Sequence, residues 1–286
     1  MKKILITGAN SYIGTSFEKY LKENYPDDYS VDTVDMVDGS WREKDFSGYD
    51  SVFHVAGIAH QKETKENAPL YHKVNSDLAA ATAKKAKQDG VKQFVFLSSM
   101  SVYGTDVGVI AEDTEPHPKS NYGKSKLQAE KEIRAYESNS FRLCILRPPM
   151  VYGRGCKGNY PSLVKIALKT PVFPYVKNQR SMIYIENLCE FVRLMIENEE
   201  SGTFFPQNGE YSNTSELVRT IAKAHRKKVR LVKGFDWLLK LTGCFTGRVR
   251  KAFGSLIYLR EMSEYKVNYR IDTFGESIEK TEKCDG

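Results

Sequence analysis

Lys3-Ile4-Leu5-Ile6-Thr7-Gly8-Ala9-Asn10-Ser11-Tyr12-Ile13-Gly14 decides the fold. It begins as a short apolar run and ends as a turn of mostly small residues. The following stretch, Ile13 to Glu23, puts Ile13, Phe17, Tyr20 and Leu21 on one helical stripe. A tight strand-to-helix turn presents backbone N–H groups where small residues admit an anion and the helix dipole favours its charge. A pyrophosphate is the expected occupant, held by Gly8, Asn10, Ser11, Tyr12, Ile13 and Gly14. A glycine-rich loop alone says little. Asp35, 21 residues beyond Gly14 at the end of a second strand over Ser30 to Asp35, supplies the acceptor a ribose diol needs. That acid also repels a 2′-phosphate, so NAD is expected in preference to NADP. Asp45 and Phe46 are candidate contacts to adenine, one an acceptor and the other an apolar edge.

Outward from this turn the two periodicities keep alternating. Ser51 to Val55, Gln93 to Ser98 and Phe141 to Arg147 read as strands. Ala68 to Gln88, stopped by Gly90, and Asn121 to Tyr136 read as helices. Apolar strands separated by helices specify an α/β fold, a Rossmann-type doubly wound parallel sheet covered on both faces. After Pro148-Pro149 the elements shorten and Gly, Pro and Lys increase. Leu188 to Ile196 and Ser215 to His225 still read as helices, the second capped by Asn213-Thr214. The expected division is a dinucleotide-binding part over 1–150 and a smaller α/β substrate-binding region over 151–286.

With 286 residues, 41% hydrophobic and 28% charged, the chain can bury a full core and is neither disordered nor fibrous. No apolar run reaches the roughly 18 residues of a membrane span, and Met1-Lys2-Lys3 leads straight into the first strand, so no secretory signal is expected. Five scattered cysteines without a C-x-x-C pair point to reduced thiols and a cytoplasmic location. The histidines lack ligand spacing, and no metal is expected. Net charge is +7, concentrated in the second half: residues 151–286 carry 23 Lys+Arg against 15 Asp+Glu, residues 1–150 carry 20 against 21. An anionic small molecule fits that excess. Nucleic acid would fit it too, but Arg226-Lys227-Lys228 and Arg248-Val249-Arg250-Lys251 have no aromatic platform or reading helix behind them, so no nucleic-acid partner is expected.

Tyr122-Gly123-Lys124-Ser125-Lys126 places a phenol and an amine one turn apart on a helix. The motif opens the helix between a strand ending Leu97-Ser98-Ser99 and the next strand, which brings Ser99 and Tyr122 toward the mouth of a dinucleotide crevice. A phenol with an ordinary pKa of roughly 10 is a poor base at neutral pH, whereas a nearby ammonium and an oxidised nicotinamide favour its phenolate. Ser99, Tyr122 and Lys126 are therefore the candidate catalytic residues.

With these residues in view, the chain resembles the extended short-chain dehydrogenase/reductase family, in particular its nucleotide-sugar epimerase/dehydratase group, over nearly its whole length. The matching pieces are Thr7 to Gly14, His54-Val55-Ala56-Gly57, Asn75, Ser98 to Gly104, Tyr122 to Lys126, Arg147 to Gly153, and Arg180 ahead of Met182 to Ile185. The resemblance implies that Ser99, Tyr122 and Lys126 form the catalytic triad, and that Val55, Ala56, Gly57, Asn75, Pro148 and Val151 contact the cofactor. It also implies that Met100 and Ser101 face the substrate and that Arg180 clamps its diphosphate; Arg248 and Arg250 are further candidate clamps. Ser11 stands where the family usually has glycine, a small enough replacement. Met100 and Ser101 stand where the dehydratases carry an Asp-Glu pair, and neither can eliminate water.

Epimerisation at sugar C4 is the expected activity, with a nucleotide-diphosphate sugar as partner. A 4-keto reductase and a non-catalytic dinucleotide-binding scaffold are the alternatives. A homodimer through the helices over 68–88 and 121–136 is expected by analogy. The segment Phe235 to Leu259 mixes Trp237, Leu238, Leu239, Leu241, Phe245 and Phe253 with arginines. It reads as a lid over the substrate, with a peripheral membrane contact as the alternative.

Overall fold

The computed structural model describes residues 1–59, 61, 63–234 and 253–283. They form two compact units. The first is Met1–Gly104, Glu115–Pro148 and Leu188–Pro206; the second is Thr105–Thr114, Pro149–Asn187 and Gln207–Gly286. A single cut at residue 150 therefore leaves 105–114 and 188–206 on the side opposite their unit.

The first unit is built on β1 (Lys2–Thr7), β2 (Tyr29–Val34), β3 (Ser51–His54), β4 (Gln93–Leu97), β6 (Arg142–Leu146) and β10 (Gly202–Phe204). They join in the order β10-β6-β4-β3-β1-β2, every pair parallel. Its helices are α1 (Tyr12–Asn24), α2 (Ala68–His72), α3 (Leu78–Gln88), α4 (Asn121–Arg134) and most of α6 (Ile185–Glu197). Alternation along the strands gives each face its own core. Leu5, Val52, Phe94, Phe96, Leu143 and Ile145 pack with Ala79, Ala83 and Ala86 of α3 and Ala129 and Ile133 of α4. On the opposite face Phe17 of α1 meets Phe53 edge-on at 5.2 Å, and Gln93 Nε2 donates to Met195 O of α6 at 2.8 Å. Chain order reverses between β1 and β3, which opens a crevice beyond their carboxyl ends.

Two local readings need correction. Ile13 is only half-buried, and Gly14 takes the buried position on the α1 stripe. The helix expected over Ala68 to Gln88 is interrupted by a π-turn at Lys73–Asp77, which breaks the 3.6-residue rhythm and seats Asn75 in the interior.

The second unit holds three parallel two-stranded ladders: β7 (Met150–Tyr152) with β9 (Met182–Tyr184), β8 (Val172–Pro174) with β11 (Arg230–Val232), and β5 (Gly108–Ile110) with β12 (Leu256–Tyr258). Around them lie α5 (Asn159–Lys169), α7 (Thr214–Ala224) and α8 (Phe274–Glu282). Asn213 caps α7 by accepting from Ser215 and Glu216 N–H, as its sequence signature requires. Of the segment read as a lid, Leu256–Tyr258 is strand, paired with Gly108–Ile110. Residues 235–252, with Arg248 and Arg250, lie outside the described residues. Among the described residues no helix is long and apolar enough to cross a membrane.

Candidate active site

The crevice floor is shaped by three glycines. Gly8 has φ +108°, and a Cβ there would sit 2.8 Å from Ala56 N, so β1 and β3 hand their loops together only around a glycine. At Gly14 a Cβ would lie 2.6 Å from Ser11 Oγ and 3.1 Å from both Ile6 and Val55 side chains, so α1 packs directly on the sheet. Gly57 leaves room for Asn75 Oδ1 and Lys126 Nζ. Asn10, at φ +65°, completes the turn. Ser11 is the N-cap of α1, accepting from Gly14 N–H at 3.2 Å while its own hydroxyl proton stays available as a donor. Serine in this place thus adds a cap that glycine lacks.

Ser99 and Tyr122 meet because Gly123 follows the tyrosine. A Cβ at 123 would come within 2.5 Å of Ser101 O, so only glycine lets the loop after β4 lie against the start of α4. The Ser99 hydroxyl lies close enough to the Tyr122 phenol to pull its pKa down. Ser99 Oγ also accepts from Ser101 N–H at 3.1 Å, and Met100 N–H donates to Pro148 O at 2.9 Å, tying the loops after β4 and β6. The half-buried Tyr122 phenol is pushed up to about 12 by burial, against the lowering pull of Ser99. Lys126, 4% exposed, donates to Leu97 O at 2.8 Å and lies over the Phe96 ring. Burial pushes its ammonium down to about 8, opposed by Glu130. His54, buried beside Lys126 and bonded to Thr7 Oγ1 at 2.7 Å, is pushed down to about 3 by burial and stays neutral.

A lysine whose folded-state pKa lies near 8 binds fewer protons than its unfolded form between pH 8 and 10.5, so stability rises with pH across that window. The wild type is expected to gain up to about 3 kcal/mol between pH 7 and pH 10 relative to Lys126→Met. Urea unfolding of both proteins at the two pH values checks it, and identical pH slopes would contradict the burial of a charged amine.

Beneath these groups lies a network absent from the sequence reading. Glu130, 1% exposed, accepts from Ser98 Oγ at 2.5 Å and from Arg147 Nε and Nη2 at 3.0 and 2.5 Å, and Arg147 Nη1 donates to Tyr103 Oη at 2.9 Å. Tyr122, Lys126 and Glu130 follow at i, i+4, i+8, so one helix stripe carries phenol, amine and carboxylate.

The model of the NAD dependent epimerase/dehydratase family matches residues 4–205. The chain belongs to this family. It is an NAD(P)-dependent enzyme of the epimerase and oxidoreductase kind. A UDP-glucose 4-epimerase of Vibrio cholerae is 32% identical over 272 residues, 86% of this chain and 83% of that protein. An N-acetyl-alpha-D-glucosaminyl-diphospho-ditrans,octacis-undecaprenol 4-epimerase of Escherichia coli O157:H7 is 26% identical over 271 residues, covering 84% and 81%. Among solved structures, UDP-N-acetylglucosamine 4-epimerase from Bacillus cereus superposes with a TM-score of 0.78 at 18% identity, covering 99% and 98% of the two chains. A dTDP-4-dehydrorhamnose reductase from Clostridium acetobutylicum gives 0.75 at 21%, covering 98% of each; at such identities the likeness is one of fold.

The remaining expected positions of this epimerase/dehydratase family member are distributed as follows. Asp35 lies one residue past β2, exposed, accepting from Val37 N–H at 2.8 Å. Asp45 is exposed; Ser47 N–H and Oγ donate to its carboxylate and hold it below the usual range. Phe46 is no edge for adenine: it is 0% exposed, in the core under the Lys85 ammonium. Asn75 points its amide inward, accepting from Ile58 N–H at 2.8 Å and donating to Ile58 O and Ser125 Oγ, so it braces the loop after β3 instead of offering groups to a ligand. Pro148 is buried. Val151 and Arg180 belong to the second unit, where Arg180 Nη1 donates to Gly254 O at 2.9 Å.

Proposed function

We propose that this chain is an NAD-dependent nucleotide-sugar epimerase acting at sugar C4, on a UDP-hexose or UDP-N-acetylhexosamine. The observation that carries the reading is the juxtaposition of Ser99, at the carboxyl end of β4, with the Tyr122 phenol whose pKa it lowers, and Lys126 buried one turn along the same helix. The residues present fit a dinucleotide: the Gly8 and Gly14 positions leave a backbone cradle a Cβ would fill, and an exposed carboxylate stands at the tip of β2. Gly8 to Gly14 would hold its pyrophosphate, Asp35 its adenosine ribose, and Val55 to Gly57 with Pro148 its nicotinamide. When bound, the nicotinamide supplies the acceptor and donor of the C4 hydride.

Ser99 donates to the C4 oxygen and orients it, while the Tyr122 phenolate takes the C4 hydroxyl proton and later returns it. Burial holds Tyr122 protonated near neutral pH while Ser99 pulls the other way; the positive charge of Lys126 and of the oxidised cofactor when bound would lower its pKa further. Met100 and Ser101 carry no acid–base pair, and elimination is not part of this chemistry. Arg180 is assigned to the diphosphate, and Asp35 to selection of NAD over NADP. A homodimer in the cytoplasm completes the reading.

A second reading of the substrate is favoured by the Escherichia coli relative, whose name specifies a lipid diphosphate, together with the arginines and apolar residues between 235 and 259. Incubation with UDP-glucose, UDP-N-acetylglucosamine, a 4-keto-6-deoxy sugar nucleotide and an undecaprenyl-diphosphate-linked N-acetylglucosamine, with products separated by chromatography, distinguishes these. Conversion of a UDP-sugar to its C4 epimer supports the first reading. Consumption of reduced cofactor on the keto sugar alone would replace it with a reductase.

A further inference from the structure

The first turn of α4 carries Tyr122, and its orphan N–H groups are satisfied in an unusual division. Ser120 serves the third, its Oγ accepting from Gly123 N–H at 3.0 Å, while its carbonyl takes Lys124 N–H in the first intrahelical bond at 2.9 Å. The first two are taken by a residue nearly sixty positions earlier. Glu63 Oε2 accepts from Asn121 N–H at 2.7 Å, and Glu63 Oε1 accepts from Tyr122 N–H at 3.1 Å. A carboxylate at a helix N-terminus is stabilised by both the bonds and the dipole. The loop bearing Glu63 is stitched to the same helix at two further points. Asn121 Nδ2 donates to Thr64 O at 3.0 Å, and Asn75, which grips Ile58 from both sides, donates to Ser125 Oγ at 3.0 Å. That loop begins at Ala56-Gly57, against which Gly8 packs.

We propose that Glu63 is a positioning residue for Tyr122: its carboxylate clamps the backbone of the tyrosine itself and locks the cofactor-side loop onto the catalytic helix. The inference rests on the function proposed above. A 1 Å displacement of a reacting group lowers rates by about a hundredfold, whereas the neighbouring cap at Ser120 fixes the helix without touching the Tyr122 amide.

The test compares Glu63→Ala, Glu63→Gln and Ser120→Ala as full-length proteins loaded with NAD, with UDP-glucose and UDP-N-acetylglucosamine as probes. Glu63→Ala is expected to lower kcat about tenfold or more with KM within about twofold, and to speed amide exchange at residues 121 and 122. Glu63→Gln, whose amide oxygen accepts one of the two N–H groups, recovers part of kcat. Ser120→Ala lowers Tm comparably and leaves kcat within about twofold. Should Glu63→Ala fail to fold, Glu63→Gln carries the same kcat and exchange comparison. Unchanged kcat in either folded Glu63 variant, or an equal fall of kcat in Ser120→Ala, overturns the proposal. Undiminished turnover in Tyr122→Phe, or an inactive wild type, instead removes the functional reading beneath it.

Discussion

Tyr122→Phe is expected to retain its fold and lose about 10²- to 10⁴-fold in kcat, the range general acid–base groups supply. The ring stays, so the helix contacts survive. Only the hydroxyl beside Ser99 is removed. Ser99 still orients the sugar oxygen, which is why a residue of turnover persists and KM changes little. The wild-type rate should fall as pH drops through the pKa of the loaded phenol, and the variant should lack that limb. Steady-state kinetics across pH 6 to 10 provide the check, and undiminished turnover in the variant would contradict the assignment of the proton to Tyr122.

The second large effect concerns stability. Glu130→Leu leaves the Arg147 guanidinium, 9% exposed, with its carboxylate partner gone. Breaking a buried ion pair from one side costs about 3–5 kcal/mol, because an uncompensated charge remains in low dielectric. At about 2–4 °C per kcal/mol, Tm should fall by on the order of 10 °C. Ser98 Oγ loses its acceptor as well, so the strand end that presents Ser99 loosens and kcat falls together with Tm. The double variant Glu130→Leu/Arg147→Met should recover part of the stability, since no charge is then stranded. A Tm within 2 °C of wild type in the single variant would show that the buried pair contributes little to stability.

Glycine and charge made the frame legible from the sequence, and tertiary contact explains what was not. The strand–turn–helix from Lys3 announced itself because β1, its tight turn and α1 are local, and the parallel sheet followed from the repeated alternation. Gly123 was visible beside Tyr122, but its purpose, the approach of Ser101 O, requires a contact across 22 residues. Glu130 sat on the same i, i+4 stripe as Tyr122 and Lys126 and offered a signal: an acid on the face that must be buried. Arg147, closing an otherwise apolar strand, offered the matching one. Glu63 offered none, since its partners are backbone amides 58 and 59 residues away. The π-turn at Lys73–Asp77 was equally silent, because its driving force is Asn75 reaching Ile58 and Ser125. Phe46 misled for the opposite reason: an aromatic in a polar loop reads as a surface contact until packing against α3 is known.

In a C4 epimerase the same hydride leaves and returns to C4 of one sugar. UDP-glucose or UDP-N-acetylglucosamine deuterated at C4, turned over by the NAD-loaded protein in ordinary water, tests it most directly. The C4 epimer is expected with its deuterium retained and no net build-up of reduced cofactor. Deuterium washed out to solvent, or one cofactor consumed per product, would contradict it.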